Sequence, residues 1–283
     1  MNFSPKDFPK VDGTIKTGIY KKGWGTAGDP FVHDFPSPHT AMHFNANKLQ
    51  DYVHEKLKPF VNIKEGNISV DEVDADFIMD CSGRPSDYSD FEMSKYIPVN
   101  SVYVNQCYWD APKFTETLAI ARPYGWVFGI PLKNRCSIGY LYNKDFNTLE
   151  EVQDDVKNVF AEFGLTPSSD TNSFSFHNYR RLRNFEGRVA RNGNASFFLE
   201  PLEATSFTTA DVVNCNAELI WLHGQPESSA ESAYRSAIDA AERIIMMHYF
   251  SGSIYSTPFW DFAQARGELC MAECASVPSF KHM

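Results

Sequence analysis

Glu200 and Glu203 lie three positions apart in the stretch Phe197-Phe198-Leu199-Glu200-Pro201-Leu202-Glu203-Ala204-Thr205-Ser206, with a proline between them. The proline ring fixes φ and removes a backbone N–H, so Pro201 must end an extended run or open a helix. Glu203 is thereby held just ahead of Thr205 and Ser206, where the next helix is expected to start. A helix start offers unpaired N–H groups and a partial positive charge, which suits a small anion. A carboxylate in apolar surroundings beside an anion site is costly, and such costs concentrate at functional sites. The plain alternative is that Glu203 only caps the helix and Thr205 is its N-cap. Lys16 is the other candidate. Ile15, Thr17 and Ile19 alternate against Lys16, Gly18 and Tyr20, so residues 13–20 are expected to form a strand with Lys16 fixed on one face. Its ordinary reading is a solvent-facing lysine.

The chain that must position these groups has 283 residues, 43% hydrophobic and 22% charged, which allows a large core in one or two domains. With 23 Phe and 13 Tyr it is rich in aromatic rings, which often line flat apolar pockets. A net charge of −10 argues against a non-specific nucleic-acid binder. No apolar run is long enough to span a bilayer, and the first residues hold no apolar signal core. The six cysteines form no CxxC pair, so neither a disulfide framework nor a zinc site is expected, and a reduced cytoplasmic setting fits. Cys270 and Cys274 read as two packed thiols.

Residues 24–42 read as a loop that covers a pocket. His33, His39 and His43 fall at no metal-ligand spacing, and no metal is expected. An amphipathic helix is expected over 45–57, with Asn45 as N-cap. Residues 75–83 read as a buried strand ending in Asp80-Cys81-Ser82-Gly83, the carboxyl edge where α/β proteins place ligands. Strands at 101–108, 115–121, 125–132 and 136–142 suggest an antiparallel meander. Trp126 and Phe128 are two apart in it and share a face. They are a core pair or a flat wall for a planar ring. Thr148-Leu149-Glu150-Glu151 is a capping box opening a helix to Phe163. The basic run 179–191 reads as solvated surface, with a phosphate role for Arg188 the sharper alternative. Residues 208–222 read as a largely buried helix. A second capping box at Ser228 opens another helix, to about Met247.

In these segments, taken in order, the chain resembles flavin-dependent tryptophan halogenases. They are Gly13-Thr14-Ile15-Lys16 through Trp24, His43-Phe44-Asn45-Ala46, Ala75 through Gly83, Gly125-Trp126-Val127-Phe128-Gly129-Ile130-Pro131, Phe198 through Thr205, and Thr257-Pro258-Phe259-Trp260. The resemblance implies an α/β, three-layer FAD-binding-like domain over 1–200, N-terminally truncated, with an antiparallel sheet. It implies a mostly helical substrate region over 201–283, the two forming one continuous unit. It implies reduced FAD from a separate flavin reductase, oxygen, and chloride or bromide. The hypohalous acid so formed travels to a lysine beside an electron-rich small-molecule substrate.

Position by position, the resemblance makes Lys16 the catalytic lysine and Glu203 its paired carboxylate. Thr205 and Ser206 become halide-binding. Trp126, Ile130, Pro131, Asp80 and Gly83 fall at cofactor positions, and Phe128, Phe259, Trp260 and His43 at substrate positions. Four departures stand out. The family opens with a strand, a Gly-x-Gly-x-x-Gly turn and a helix that seat the FAD pyrophosphate, whereas no Gly-rich turn follows a strand before Lys16. Phe128 replaces a Trp, and Ser206 replaces a Gly. Tyr255 stands where tryptophan-specific members carry a carboxylate, so free tryptophan is not the expected substrate. The expected product is a clipped chain, a relic, or half of a split enzyme completed by a separate N-terminal FAD-binding polypeptide. A flavin monooxygenase that uses no halide and an inactive fragment are the alternatives.

Overall fold

The computed structural model describes residues 4–36 and 41–275. In chain order its strands begin with β1 (Thr14–Lys16), β2 (Gly18–Lys22), β3 (Phe31–Asp34), β4 (Ala41–His43), β5 (Ile78–Asp80) and β6 (Phe91–Met93). There follow β7 (Ser101–Tyr108), β8 (Thr117–Arg122), β9 (Gly125–Leu132), β10 (Arg135–Tyr142) and β11 (Thr166–Ser175). The last are β12 (Tyr179–Arg181), β13 (Phe185–Glu186), β14 (Val189–Arg191) and β15 (Phe197–Phe198). The α-helices are α1 (Ala46–Leu57), α2 (Leu149–Glu162), α3 (Ser206–His223), α4 (Glu227–Phe250) and α5 (Pro258–Ala275). The fold is mixed α/β. Two compact units share the chain, one from residues 1–65, 99–175 and 253–261, the other from 66–98, 176–252 and 262–283. The expected boundary after residue 200 falls inside the second unit.

The first unit is built on a seven-stranded sheet of order β11-β7-β10-β9-β8-β2-β3. All its pairs are antiparallel except β2 with β8. The four strands expected over 101–142 form, but only β8, β9 and β10 run as a meander, whereas β7 lies between β10 and β11. Val127, Ile138 and Tyr140 point to one face, where Val152, Val156 and Val159 of α2 close the core. The capping box sets the start of α2. Glu151 N donates to Thr148 Oγ1 at 3.2 Å, and Thr148 N to Glu151 Oε2 at 2.7 Å. Asn45 likewise caps α1, its Oδ1 accepting from Asn47 N and Lys48 N.

Two expectations are corrected here. Residues 13–20 are two strands rather than one, because β1 pairs with β4 while β2 joins the large sheet. The expected loop 24–42 holds β3, which pairs with β2 and turns all four residues outward as the sheet's edge.

A buried ionic knot ties α2 to the sheet. The Arg122 guanidinium forks onto Asp155, with Nε donating to Oδ2 at 2.9 Å, and both side chains are almost enclosed. Tyr140 Oη donates to the same Oδ2 at 3.0 Å and accepts from Tyr124 N at 3.2 Å. Removing one member of such a pair leaves a buried charge uncompensated. Asp155→Ala is therefore expected to destabilise the protein by roughly 3–5 kcal/mol in denaturant unfolding. A loss below about 1 kcal/mol, the range of an exposed pair, would contradict this.

The second unit contains two three-stranded sheets, β15-β12-β6 and β13-β14-β5, with α3 and α4. β5 runs parallel to β14, its one strand partner among the described residues. The expected buried strand 75–83 shrinks to three residues, of which only Ile78 is buried. It ends at Asp80 because Ser82 N turns back to Asp80 Oδ1 at 2.9 Å. α3 is not largely buried: Phe207, Trp221 and Leu222 are exposed, while Thr209, Val213, Asn216 and Ala217 face inward. The capping box at Ser228 is not formed. α4 starts two residues earlier, with Pro226 in place of Ser228 as N-cap, and Glu231 serves the β13 hairpin instead, its Oε1 accepting from the N–H groups of Asn184 and Phe185.

Candidate active site

Lys16 closes β1. In the β1–β4 ladder Thr14 faces His43 and Lys16 faces Ala41. Residues two apart share a face, so Lys16 and His43 are diagonal neighbours on one side of this ribbon. The ammonium stands 5.5 Å from the centre of the Phe35 ring, a cation–π distance. Thr14 Oγ1 donates to the Pro131 carbonyl at 2.9 Å and so ties the ribbon to β9.

His43 is 7% exposed. Its Nε2 lies 2.8 Å from Thr117 Oγ1, and its buried Nδ1 meets no hydrogen-bond partner among the described residues. Burial, and then the Lys16 charge, push its pKa down to about 4, so the ring is neutral near pH 7. The unfolded chain takes up a proton near pH 6.5 and the folded one only near 4. The stability is therefore complete above pH 6.5 and is lost as the pH falls towards 4, by roughly 3 kcal/mol in all. Urea unfolding at pH 7 and pH 4 should show this slope, and His43→Leu should remove it.

On β9, Trp126, Phe128, Ile130 and Leu132 share a face. Trp126 is sealed, with ring centres 6.4 Å from Trp24 and 6.3 Å from Phe128. Trp24 meets Trp260 edge-on at 5.5 Å, and Trp260 meets Phe259 at 5.3 Å. Each indole N–H is used: Trp24 Nε1 donates to Ala119 O at 3.0 Å, Trp260 Nε1 to Arg122 O at 2.7 Å. Phe259 and Trp260 are buried in this cluster, while Phe128 and Ile130 are half-buried. The tip of the Phe128 ring lies over Gly139 of β10, its ladder partner, where a Cβ would come within 2.1 Å of it. Gly139→Ala must therefore tilt the ring, and a loss of about 1–3 kcal/mol in chemical unfolding is expected. The Arg122 guanidinium lies 5.8 Å from the centre of the Tyr255 ring.

The second unit carries the two glutamates. After β15 the chain makes a turn closed by Ala204 N donating to Pro201 O at 3.0 Å. Glu203 has φ +79° and Ala204 φ +51°, two consecutive non-glycine residues in the left-handed region. Such a backbone costs about 1–3 kcal/mol per residue and persists where surroundings over-determine it. Pro201 thus belongs to the turn, and α3 begins at Ser206 with Thr205 as N-cap but without a side-chain cap bond. Glu200 is fully buried and accepts from Tyr249 Oη at 2.9 Å. Glu203 Oε1 lies 2.9 Å from His248 Nε2. The sequence shows His248-Tyr249-Phe250 as an aromatic cluster, but neither its pairing with the two glutamates nor the indole contacts of Trp24 can be read there, since each is a contact distant in the chain.

Asp80 and Gly83 sit at the carboxyl end of β5. Asp80 O accepts from Asn192 N at 2.9 Å, and Gly83 has φ +97° with open space where a Cβ would stand. The Arg188 guanidinium is taken by the carbonyls of Val73, at 2.9 Å, and Ala75. A Gly-x-Gly-x-x-Gly spacing that sequence reasoning missed occurs at Gly23, Gly25 and Gly28. It is a hairpin loop: Gly23 N donates to Gly28 O at 3.0 Å, and β3 follows instead of a helix. It therefore lacks the helix N-terminus that a phosphate cradle uses. No cluster of three or more His, Cys, Asp or Glu suited to a metal occurs among the described residues, and His39 lies outside them. No helix among the described residues is long and apolar enough to cross a membrane.

A family profile described as tryptophan halogenase matches residues 61–272. Tryptophan 7-halogenase RebH of Lentzea aerocolonigenes is 26% identical over 269 residues, 82% of this chain and 49% of RebH. The chain thus spans about half the length of the curated relatives it matches. Among solved structures, BrvH, a flavin-dependent halogenase from Brevundimonas sp. BAL3, superposes with a TM-score of 0.76 at 18% identity, covering 96% of this chain and 73% of BrvH. MibH, a tryptophan 5-halogenase, gives 0.78 at 18% identity, covering 96% of this chain and 66% of MibH. At this identity the superpositions carry the fold.

Proposed function

This chain belongs to the tryptophan halogenase family, and from that premise we propose that it takes part in flavin-dependent halogenation of an electron-rich aromatic small molecule. The observation that carries the reading is the turn before α3. Glu203 is forced into left-handed backbone directly ahead of a helix of 18 residues, a costly way to build a mere cap.

The residues of the first unit fit the ring end of a flavin: Phe128 packs on Gly139 with Ile130 beside it, and Trp126 and Pro131 would back that wall. The resemblance gives Asp80 and Gly83 cofactor roles. Bound reduced FAD, with oxygen, supplies the oxidising equivalents that turn halide into hypohalous acid. The N–H groups at the start of α3, with Thr205 and Ser206, hold chloride or bromide. Lys16 donates a hydrogen bond to the hypohalous acid and orients its halogen. Glu203 takes the proton released when the ring is substituted. Phe128, Phe259, Trp260 and the neutral His43 shape the substrate side. A separate flavin reductase supplies reduced FAD.

The test is an assay of the purified chain with FAD, a flavin reductase, bromide and indole, read by mass spectrometry. Brominated indole is the expected product, and it should vanish without halide. An oxygenated product formed equally well without halide would overturn the proposal in favour of a monooxygenase.

A further inference from the structure

We propose that His248 is the positioning residue of Glu203, and that the two side chains share a proton on the line from Nε2 to Oε1. The catalytic meaning of this pair rests on the halogenase reading; its hydrogen-bond chemistry does not.

His248 lies in the last turn of α4 and is held at both ring nitrogens. Nδ1 is 3.1 Å from the Ile244 carbonyl oxygen, one turn back, and Nε2 is 2.9 Å from Glu203 Oε1. A carbonyl oxygen only accepts, so the first contact requires a proton on Nδ1. A neutral ring with its proton on Nδ1 has a bare Nε2. Bare Nε2 against a bare carboxylate oxygen would set two acceptors face to face. A proton therefore stands between them, either on an imidazolium donating to the carboxylate or on a carboxylic acid donating to the neutral ring. Turning the ring by 180° would place carbon against both oxygens and lose both bonds.

The backbone explains why such a clamp is needed. Glu203 and Ala204 are both left-handed, so the turn relaxes unless contacts from elsewhere hold it. α4 supplies them with consecutive residues. Tyr249 holds Glu200 at 2.9 Å and His248 holds Glu203 at 2.9 Å. Both carboxylates of Glu-Pro-Leu-Glu are thus fixed by one helical turn. The pair is shielded without being sealed, with the His248 and Glu203 side chains 16% and 21% exposed, so its proton can exchange with water.

The experiment is nitrogen NMR of the full chain labelled with ¹⁵N-histidine, without ligands, in wild type and Glu203→Gln. In wild type, His248 is expected to carry a proton on Nδ1 and to show Nε2 protonated or strongly hydrogen-bonded at neutral pH. In Glu203→Gln it should become a neutral ring with the proton on Nδ1. An unprotonated Nδ1 in wild type, or a His248 ring unchanged by Glu203→Gln, would overturn the proposal. In the halogenation assay, His248→Phe should lower kcat about tenfold or more with KM within about twofold, and His248→Gln, which keeps a donor, should recover part of the loss. Unchanged kcat in His248→Phe would also overturn it. Absence of halogenation in wild type would sink the functional reading while leaving the NMR result to decide the dyad.

Discussion

Lys16→Ala should lower halogenation by roughly 10²–10⁴-fold, the range for removing a positioned proton donor. The side chain is held by a short ribbon. β1 contributes three residues, paired to β4 and tied by Thr14 to Pro131. The ammonium over Phe35 sits at one defined place on that ribbon. The cut at Cβ leaves the β1–β4 ladder bonds intact, because these are backbone bonds. Thermal unfolding of the variant should therefore match wild type to within the effect of a surface substitution. Lys16→Arg is a sharper test. It keeps the charge and changes the donor geometry, so it should also fail. Full activity in Lys16→Ala would remove the lysine from the mechanism.

The second large effect is Glu203→Gln, with a similar expected loss of roughly 10²–10⁴-fold. Gln keeps the size and can still hydrogen-bond, but it cannot take a proton. Its stability cost should be small, because the left-handed turn and the Ala204–Pro201 bond remain. Glu200→Gln makes the contrast. Glu200 is fully buried against Tyr249, and its N–H donates to Asn178 Oδ1 at 2.8 Å. It is expected to change stability more than turnover. Two carboxylates three apart thus receive different tasks from their surroundings.

Much of the framework was legible because local signals and tertiary structure agree. Asn45 and Thr148 are caps whose partners lie within three residues, and both work as the sequence suggests. The strands of residues 101–142 were legible as apolar runs between turn residues, and most of their residues are buried in consecutive positions. Where local and long-range interests compete, the local signal misleads. Ser228-x-x-Glu231 has the spacing of a capping box, but Glu231 bonds the β13 hairpin far back in the chain. The apolar residues of α3 do not repeat with a helical period, so composition suggests burial that Phe207, Trp221 and Leu222 do not have. Gly23-x-Gly25-x-x-Gly28 shows that glycine spacing without the following helix makes only a hairpin. The candidate site was legible as residue types: a lysine on a strand, a carboxylate before a helix and an aromatic strand face. The partners that fix those residues were not legible. His248 is separated from Glu203 by the 18 residues of α3, a loop and most of α4, and no periodicity announces a contact of that kind.

The most direct measurement is a double-mutant cycle on kcat/KM for halogenation, using wild type, Lys16→Ala, Glu203→Gln and the double variant. If the amine and the carboxylate serve one step, the double variant should be no slower than the worse single variant, since the second change removes nothing further. If the two losses multiply, the residues act independently and the account of a single lysine–glutamate step is wrong.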